Sequence, residues 1–286
     1  MQDQHLDSAQ IAARFEQQGI RRTQKAIQRR RERLGVHAQV AESPVPKLGP
    51  PPTMHGDALL LFDIHCPCHD AVWINRVIDL ALRWGIRKVG IGGDLVDFDT
   101  FTSFERNPAF DVEVELRSAE NIISALESCF DEVVYSCGNH EVRLSRRTDW
   151  LLPVQDAVKL FVRSGKTTFT RSHWFILESG GQRFHVEHPG NYSGHATLVP
   201  KRLCSKYLCH VVAGHGHTWG IGRDVSDTWY GVDAGICADP ERLAYAVERH
   251  NTRPAMQQGA VIVRGGEPIL LSPTNIAVYE QMELAA

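Results

Sequence analysis

The sequence predicts an α/β fold behind a small basic helical unit, and three observations predict it. From Ala58 onward, short β-branched and leucine-rich runs alternate with helical periodicities. Ahead of them, Ser43 to Thr53 carries five prolines in eleven residues, a density that disfavours helix and gives an extended, semi-rigid spacer. Ahead of the spacer the charge changes sign. Residues 1–35 hold eight Lys/Arg against four Asp/Glu, whereas the remainder holds 23 basic and 30 acidic residues. The net charge of −3 conceals this asymmetry, and the two parts have different electrostatic roles. The expected division is a helical domain over 1–40, a linker over 41–56 and a catalytic domain over 57–286.

The elements follow in order. Asp7 or Ser8 caps a short helix with Ile11, Ala12 and Phe15 on one face, ended by Gly19. Thr23 caps a second, Gln24 to Leu34, with Ala26, Ile27 and Leu34 as its apolar stripe. After the spacer, residues 58–62 form a buried strand, and Asp70 caps a helix that turns Ile74, Val77, Ile78, Ala81 and Leu82 to the core. Residues 88–91 and 132–135 are further strands, with a helix over about 112–129 between them. After a helical 153–163 the pattern changes to hairpins: 174–177 with 183–186 around Gly180-Gly181, then 210–213, and 261–263 with 269–271 around Gly265-Gly266.

Composition narrows the class. With 43% hydrophobic and 23% charged residues, the chain is ordinary globular protein. No apolar stretch approaches the length of a membrane span, so no membrane partner is expected. The start, Met1-Gln2-Asp3-Gln4-His5, lacks the basic and apolar regions of a signal peptide. Seven cysteines, odd in number and irregularly spaced, indicate a reducing, cytoplasmic compartment. Cys204 and Cys209-His210 lack a second cysteine pair to complete a zinc site and read as buried apolar thiols.

Five motifs sit at the ends of the apolar runs: Asp63-Ile64-His65, Gly93-Asp94-Leu95-Val96-Asp97, Gly138-Asn139-His140-Glu141, a histidine near 188, and Gly214-His215-Gly216-His217. A lone Asp-x-His or His-x-His is ordinarily a turn or a surface pair. Five in order remove most of that explanation for Asp63, His65, Asp94, Asn139, His140, His215 and His217. The fourth motif offers two candidates, His185 and His188; His188 is preferred because it stands at a strand end before Pro189-Gly190. His69 and His195 read as polar neighbours, and His173, His210 and His250 as structural. Together the motifs supply oxygen and nitrogen donors for two adjacent divalent metals and leave His140 to move a proton. Two such ions about 3.5–4 Å apart repel, so they need a shared anion, which Asp94 and a hydroxide can provide. Carboxylate, amide and imidazole donors suit manganese, and also iron, zinc or nickel, better than calcium or magnesium. The shared water loses its proton near neutral pH, with a pKa of about 7 in favourable sites, and becomes the nucleophile.

In this motif set, residues 57–286 resemble the calcineurin-like metallophosphoesterases. The resemblance implies a four-layer α/β/β/α sandwich with two metals at the strand ends. It makes Asp63, His65 and His217 ligands of the first metal, Asp94 the bridge, and Asn139, His188 and His215 ligands of the second. It makes His140 the proton donor to the leaving oxygen, and Asp97 the carboxylate that orients this histidine and raises its pKa. Such a dyad is a sound general acid on physical grounds.

Neighbouring residues bear on the ester. The protein Ser/Thr phosphatase branch resembles this chain in the second and third motifs, but places phosphate-clamping arginines just after the one and just before the other. Phe98 and Cys137 stand there instead, which argues against efficient clamping of a phosphomonoester. Arg143, with Arg146 and Arg147 nearby, could replace them; a solvated basic turn is the alternative. Asp63-Ile-His-Cys-Pro67 followed by Cys-His-Asp70 resembles the phosphodiesterase and phage-type members. Residues 11–35 resemble a helix-turn-helix of the Myb-like or phage-regulator kind, with Lys25, Arg29 and Arg33 near its outer face. A basic solvated helix or an oligomerisation arm is the other reading. A positive arm on an acidic enzyme points to a polyanion partner. The expected function is a phosphodiesterase or nuclease recruited to nucleic acid through residues 1–40. The alternatives are a phosphomonoesterase acting on proteins or nucleotides, and a DNA-binding regulator with a vestigial metal domain.

Overall fold

The computed structural model describes residues 6–35, 49–103, 106, 109–163, 165–243, 247 and 255–282. Residues 43–48 of the proline-rich stretch and His250 lie outside them. The chain divides into two units after Pro50.

The first unit contains helices α1 (Ser8–Gln17) and α2 (Gln24–Arg33). Asp7 accepts from the Ala9 and Gln10 amides at 2.8 Å, and Gln10 accepts from the Asp7 amide at 2.9 Å, closing a capping box that fixes where α1 begins. Thr23 caps α2 through the Ala26 amide at 3.3 Å. Ile27 and Arg31 are buried, the latter donating to the Leu6 carbonyl, while Lys25, Arg29 and Arg33 are exposed at i, i+4 and i+8 along one face.

The second unit is mixed α/β with two six-stranded sheets. In one, β2 (Ala58–Leu61), β3 (Lys88–Gly92), β4 (Glu132–Ser136) and β5 (Thr167–Thr170) are mutually parallel. The antiparallel β11 (Ala260–Arg264) and β12 (Glu267–Leu271) extend it beside β2. The other has the order β1 (Thr53–His55), β6 (Trp174–Ser179), β7 (Gln182–Glu187), β8 (His210–Ala213), β10 (Tyr230–Ala234), β9 (Trp219–Arg223). Within it β7, β8 and β10 run parallel. The remaining helices are α3 (Ala71–Arg83), α4 (Val112–Cys129), α5 (Val142–Arg147), α6 (Val154–Val158), α7 (Leu198–Tyr207) and α8 (Ile276–Met282).

The strands are apolar on both faces because both faces are covered. Leu59 and Leu61 of β2 pack with Trp73, Ile74 and Val77 of α3 and with Ala119, Ile123 and Leu126 of α4. Ala58 and Leu60 point the other way, into a cluster with Phe175, Leu177, Phe184, Val186, Val212 and Val232 of the second sheet. Beyond that sheet, Cys204 of α7 meets Val211 and Ala213 of β8. Burying each large side chain contributes about 1.5–3 kcal/mol, so this double-sided packing fixes where the strand ends lie. Among the described residues no helix is long and apolar enough to cross a membrane.

Candidate metal centre

All five motifs lie just after the C-terminal ends of β2, β3, β4, β7 and β8. The loops are tied together by their backbones: the His65 amide donates to Asp94 O at 3.0 Å, Cys66 to Leu95 O at 2.8 Å, and Gly214 to Glu187 O at 3.2 Å. Asp63, His65, Asp94, His215 and His217 all have positive φ, between 49° and 68°. Non-glycine residues rarely adopt that region, and they hold it where the surroundings over-determine the turn, commonly at functional sites. Two glycines let the loops close in. A Cβ at Gly138 would stand 2.1 Å from Asp94 Oδ1, and one at Gly214 2.6 Å from Asp63 Oδ2.

The side chains form two donor groups. Asp63, His65 and His217 make one; Asp94, His188 and His215 make the other; in each the donor atoms lie within 4.8 Å of one another. His217 Nε2 is 3.1 Å from Asp63 Oδ1 and 3.4 Å from His65 Nε2. A third overlapping group, His65, Asp94 and His140, joins the two. The Asn139 carboxamide oxygen stands 2.9 Å from His188 Nε2. Gly92 O accepts from His188 Nδ1 at 3.1 Å, which fixes the tautomer and turns Nε2 inward. Asp94 Oδ2 is buried and accepts no hydrogen bond, with His188 Nε2 at 3.2 Å. A buried carboxylate oxygen left this way is costly unless a cation satisfies it, so the donor set fits divalent metal ions.

The electrostatics agree. Burial pushes the Asp63 and Asp94 carboxyls up, yet the histidines around them hold both well below the usual carboxylate range. Burial opposes charge on His65 and His188 as well, but the neighbouring carboxylates prevail and raise them to about 10 and about 9. Burial and the charge of His188 lower His215 to about 4. Without metal, imidazolium groups serve as the counter-ions of the carboxylates.

His140 stands beside these groups. Its Nδ1 lies 2.9 Å from Asp97 O and 2.7 Å from Asp97 Oδ1, so Nδ1 carries the proton. Arg143 donates through Nη2 to His140 Nε2 at 2.9 Å and through Nη1 to Asp97 O at 2.8 Å. The expectation that Asp97 sets a raised pKa for His140 needs correcting. Asp94 and Asp97 do pull upward, but burial, the largest influence, and the Arg143 charge hold His140 below the ordinary imidazole value. Asp97 also lies 3.3 Å from His65 Nδ1, so one carboxylate orients two imidazoles.

Glu141 was legible only as the fourth letter of Gly-Asn-His-Glu, without a role. Buried, it accepts from the amides of Leu95 at 2.9 Å, Asp94 at 3.1 Å and Gly138 at 2.7 Å, and from the Tyr135 hydroxyl at 2.6 Å. It locks the second motif to the third. His185 lies away from both donor groups, stacked between Trp174 and Tyr207 with ring centroids at 4.2 and 4.1 Å. Phe98 packs on Phe101 and Phe161, and Cys137 is buried with its thiol on Gly138 O, so neither position offers a charge.

No protein-family description matches the chain, and no curated protein does so either. Among solved structures it is similar to Yfce, a phosphoesterase from E. coli, at 14% identity and a TM-score of 0.39, over 72% of this chain and 87% of that one. Vps29 of Cryptosporidium parvum gives 11% and 0.38, over 76% and 95%; Vps29 of Chaetomium thermophilum gives 10% and 0.39, over 76% and 94%. Likenesses this distant carry no weight for the site or its chemistry.

Proposed function

We propose that residues 57–286 form a metal-dependent phosphoester hydrolase, a four-layer metallophosphoesterase with a dinuclear centre. The observation that carries this reading is the pair of donor groups joined through Asp94, whose buried Oδ2 lacks a hydrogen bond. Asp63, His65 and His217 would hold one ion, Asn139, His188 and His215 the other, with Asp94 between. Bound divalent ions, manganese in the first instance and iron, zinc or nickel otherwise, would supply charge stabilisation for the phosphoryl group and an acidified water.

The chain's own residues do the rest. Asp97 holds the His140 Nδ1–H, and once Arg143 leaves Nε2 that nitrogen can take up a proton from solvent and pass it to the leaving oxygen. Arg143, now on His140 Nε2, is placed to take an anionic phosphate oxygen and free that nitrogen. A phosphodiester is favoured because Phe98 and Cys137 are core residues and supply no second fork. Nucleic acid is the proposed substrate, with residues 1–40 recruiting it; the exposed Lys25, Arg29 and Arg33 support that role. The seven unpaired thiols fit a reducing, cytoplasmic setting. A full donor set speaks against a vestigial centre.

Purified protein with Mn²⁺, assayed on bis-p-nitrophenyl phosphate and p-nitrophenyl phosphate, tests the reading. Preferential turnover of the diester is expected, and selective turnover of the monoester would sink the nuclease version. Asp94→Asn and His140→Ala should each lower turnover at least about a hundredfold; near-normal rates would refute the assignment.

A further inference from the structure

Next to Asn139 the surface opens into a cavity of 340 Å³, lined among others by Phe101, Ser103, Arg143, Arg146 and Arg147. The three arginines come from one short helix, α5, at spacings i, i+3 and i+4, so their guanidinium groups gather on one side of it. Two are anchored, Arg147 by main-chain carbonyls alone and Arg143 beside the Asp97 carboxylate at 3.5 Å. Arg147 donates through Nε to Phe101 O at 3.0 Å and through Nη2 to Thr102 O, and Arg143 donates to Asp97 O. Main-chain carbonyls fix a guanidinium in place but leave its charge. Arg146 is exposed and makes no ion pair or hydrogen bond among the described residues. Its one-helix neighbourhood therefore presents more positive charge than Asp97, the carboxylate within 3.5 Å of Arg143 and already shared with His140 and His65, can balance.

Asn139 and Arg143, assigned above to the metal centre, also line this cavity, so it opens directly from the place of the scissile phosphate; Ser103, Arg146 and Arg147 line it without belonging to either donor group. Three guanidinium groups lining one cavity suit a multidentate oxyanion better than a sugar or a base. We propose that the cavity binds a second phosphate of the substrate, one linkage along a polynucleotide strand from the one hydrolysed. This rests on the phosphoester reading of the metal centre.

Calorimetric titration of the Mn²⁺-loaded protein with thymidine 3′,5′-bisphosphate and thymidine 5′-monophosphate tests it without turnover. The bisphosphate should bind about tenfold tighter, the scale of one added charge-assisted contact. Arg146→Ala should remove most of that difference and leave monophosphate binding unchanged, and Arg146→Lys should fall between. In hydrolysis, the dinucleotide TpT should be a poorer substrate than pTpT or TpTp, again only while Arg146 is present. Turnover of bis-p-nitrophenyl phosphate, which has a single phosphate, should not change on Arg146→Ala. Equal affinity for the two thymidine ligands, or a preference that survives Arg146→Ala, overturns the proposal. Thymidine 5′-diphosphate matching the bisphosphate, with no gain for pTpT or TpTp, overturns its strand form and assigns the pocket to pyrophosphates. Failure to hydrolyse any ester would count against the phosphoester reading instead, because the binding comparison does not depend on it.

Discussion

Asp94 faces His140 and His188 and its buried Oδ2 accepts no hydrogen bond, so under the proposed assignment the protonation of its neighbours decides how tightly metal would be held. In the metal-free chain His65 and His188 have folded values of about 10 and about 9, above an unfolded value of about 6.5. Their contribution to stability is complete below that unfolded value and is lost as pH rises through the folded ones. Metal requires both imidazoles neutral, so binding must release their protons anywhere below about 9. The rise in melting temperature produced by Mn²⁺ should therefore be larger at pH 8.5 than at pH 6.5, and calorimetry in buffers of different ionisation enthalpy should show net proton release. An equal rise at both pH values would contradict the ligand assignment. Arg143 gives a second residue-scale outcome. Its charge depresses His140, so Arg143→Ala should raise that imidazole's pKa. If His140 acts as the acid, the descending limb of a kcat/KM pH profile should move to higher pH even as the rate falls. Glu141 gives a third. An amide there cannot accept from the backbone amides of Asp94, Leu95, Val96 and Gly138 and the Tyr135 hydroxyl together, so Glu141→Gln should cost about 2–4 kcal/mol in denaturant unfolding; Tyr135→Phe should cost about 1.

At the scale of elements, the sequence was most readable where local pattern and tertiary role coincide. β2, β3 and β4 are short apolar runs ending in a motif, and α4 carries Ala119, Ile123 and Leu126 on one face behind an Asp111 cap. The strands β1, β5, β9 and β10 were not foreseen. Trp219-Gly-Ile-Gly-Arg223 has no strand composition of its own and exists through antiparallel pairing with Tyr230–Ala234. Thr53–His55 follows prolines and gains its pairing from a partner more than a hundred residues away. α5 was hidden by its own arginines, and the helix expected over 153–163 is reduced to Val154–Val158. The residues of the candidate donor groups were legible as a set because metal chemistry restricts residue types, and the fold brings them together; Glu141 and the Arg143–His140 contact were not, because a carboxylate that serves backbone amides leaves no spacing rule. α4 also holds a titrating group. Glu115 is buried, accepts from the Asp99 amide and leaves its other oxygen unpaired; burial lifts it to about 7. A carboxyl raised above its unfolded value stabilises fully only at low pH, and the benefit disappears as pH rises through about 7. Glu115→Gln should be close to neutral at pH 5 and raise the melting temperature at pH 8; destabilisation at both would show that the charged form is the one accommodated.

At the scale of the whole molecule, the two units carry opposite charge, and the proposed function gives them separable tasks. Every proposed metal ligand, with His140 and Arg143, lies in 51–286, while the exposed basic face of α2 lies before Pro50. Phosphate contacts release counter-ions, so each contributes about 0.9 to the slope of log K against log salt for duplex DNA. Replacing Lys25, Arg29 and Arg33 by alanine in the full chain should weaken duplex binding and reduce that slope by about 2–3, and deleting residues 1–40 should do at least as much. These three side chains are exposed and the buried Ile27 and Arg31 are untouched, so α2 has no packing reason to unfold. Turnover of bis-p-nitrophenyl phosphate should stay within about twofold, because a single small phosphate needs only the centre between the sheets. Filter binding or fluorescence anisotropy over 50–300 mM salt would measure the slope. An unchanged slope would remove the nucleic-acid role from this unit and leave oligomerisation, read from sedimentation of the same variants, as its use; a lower slope with intact turnover would make the basic arm a tether and the acidic unit the enzyme it delivers.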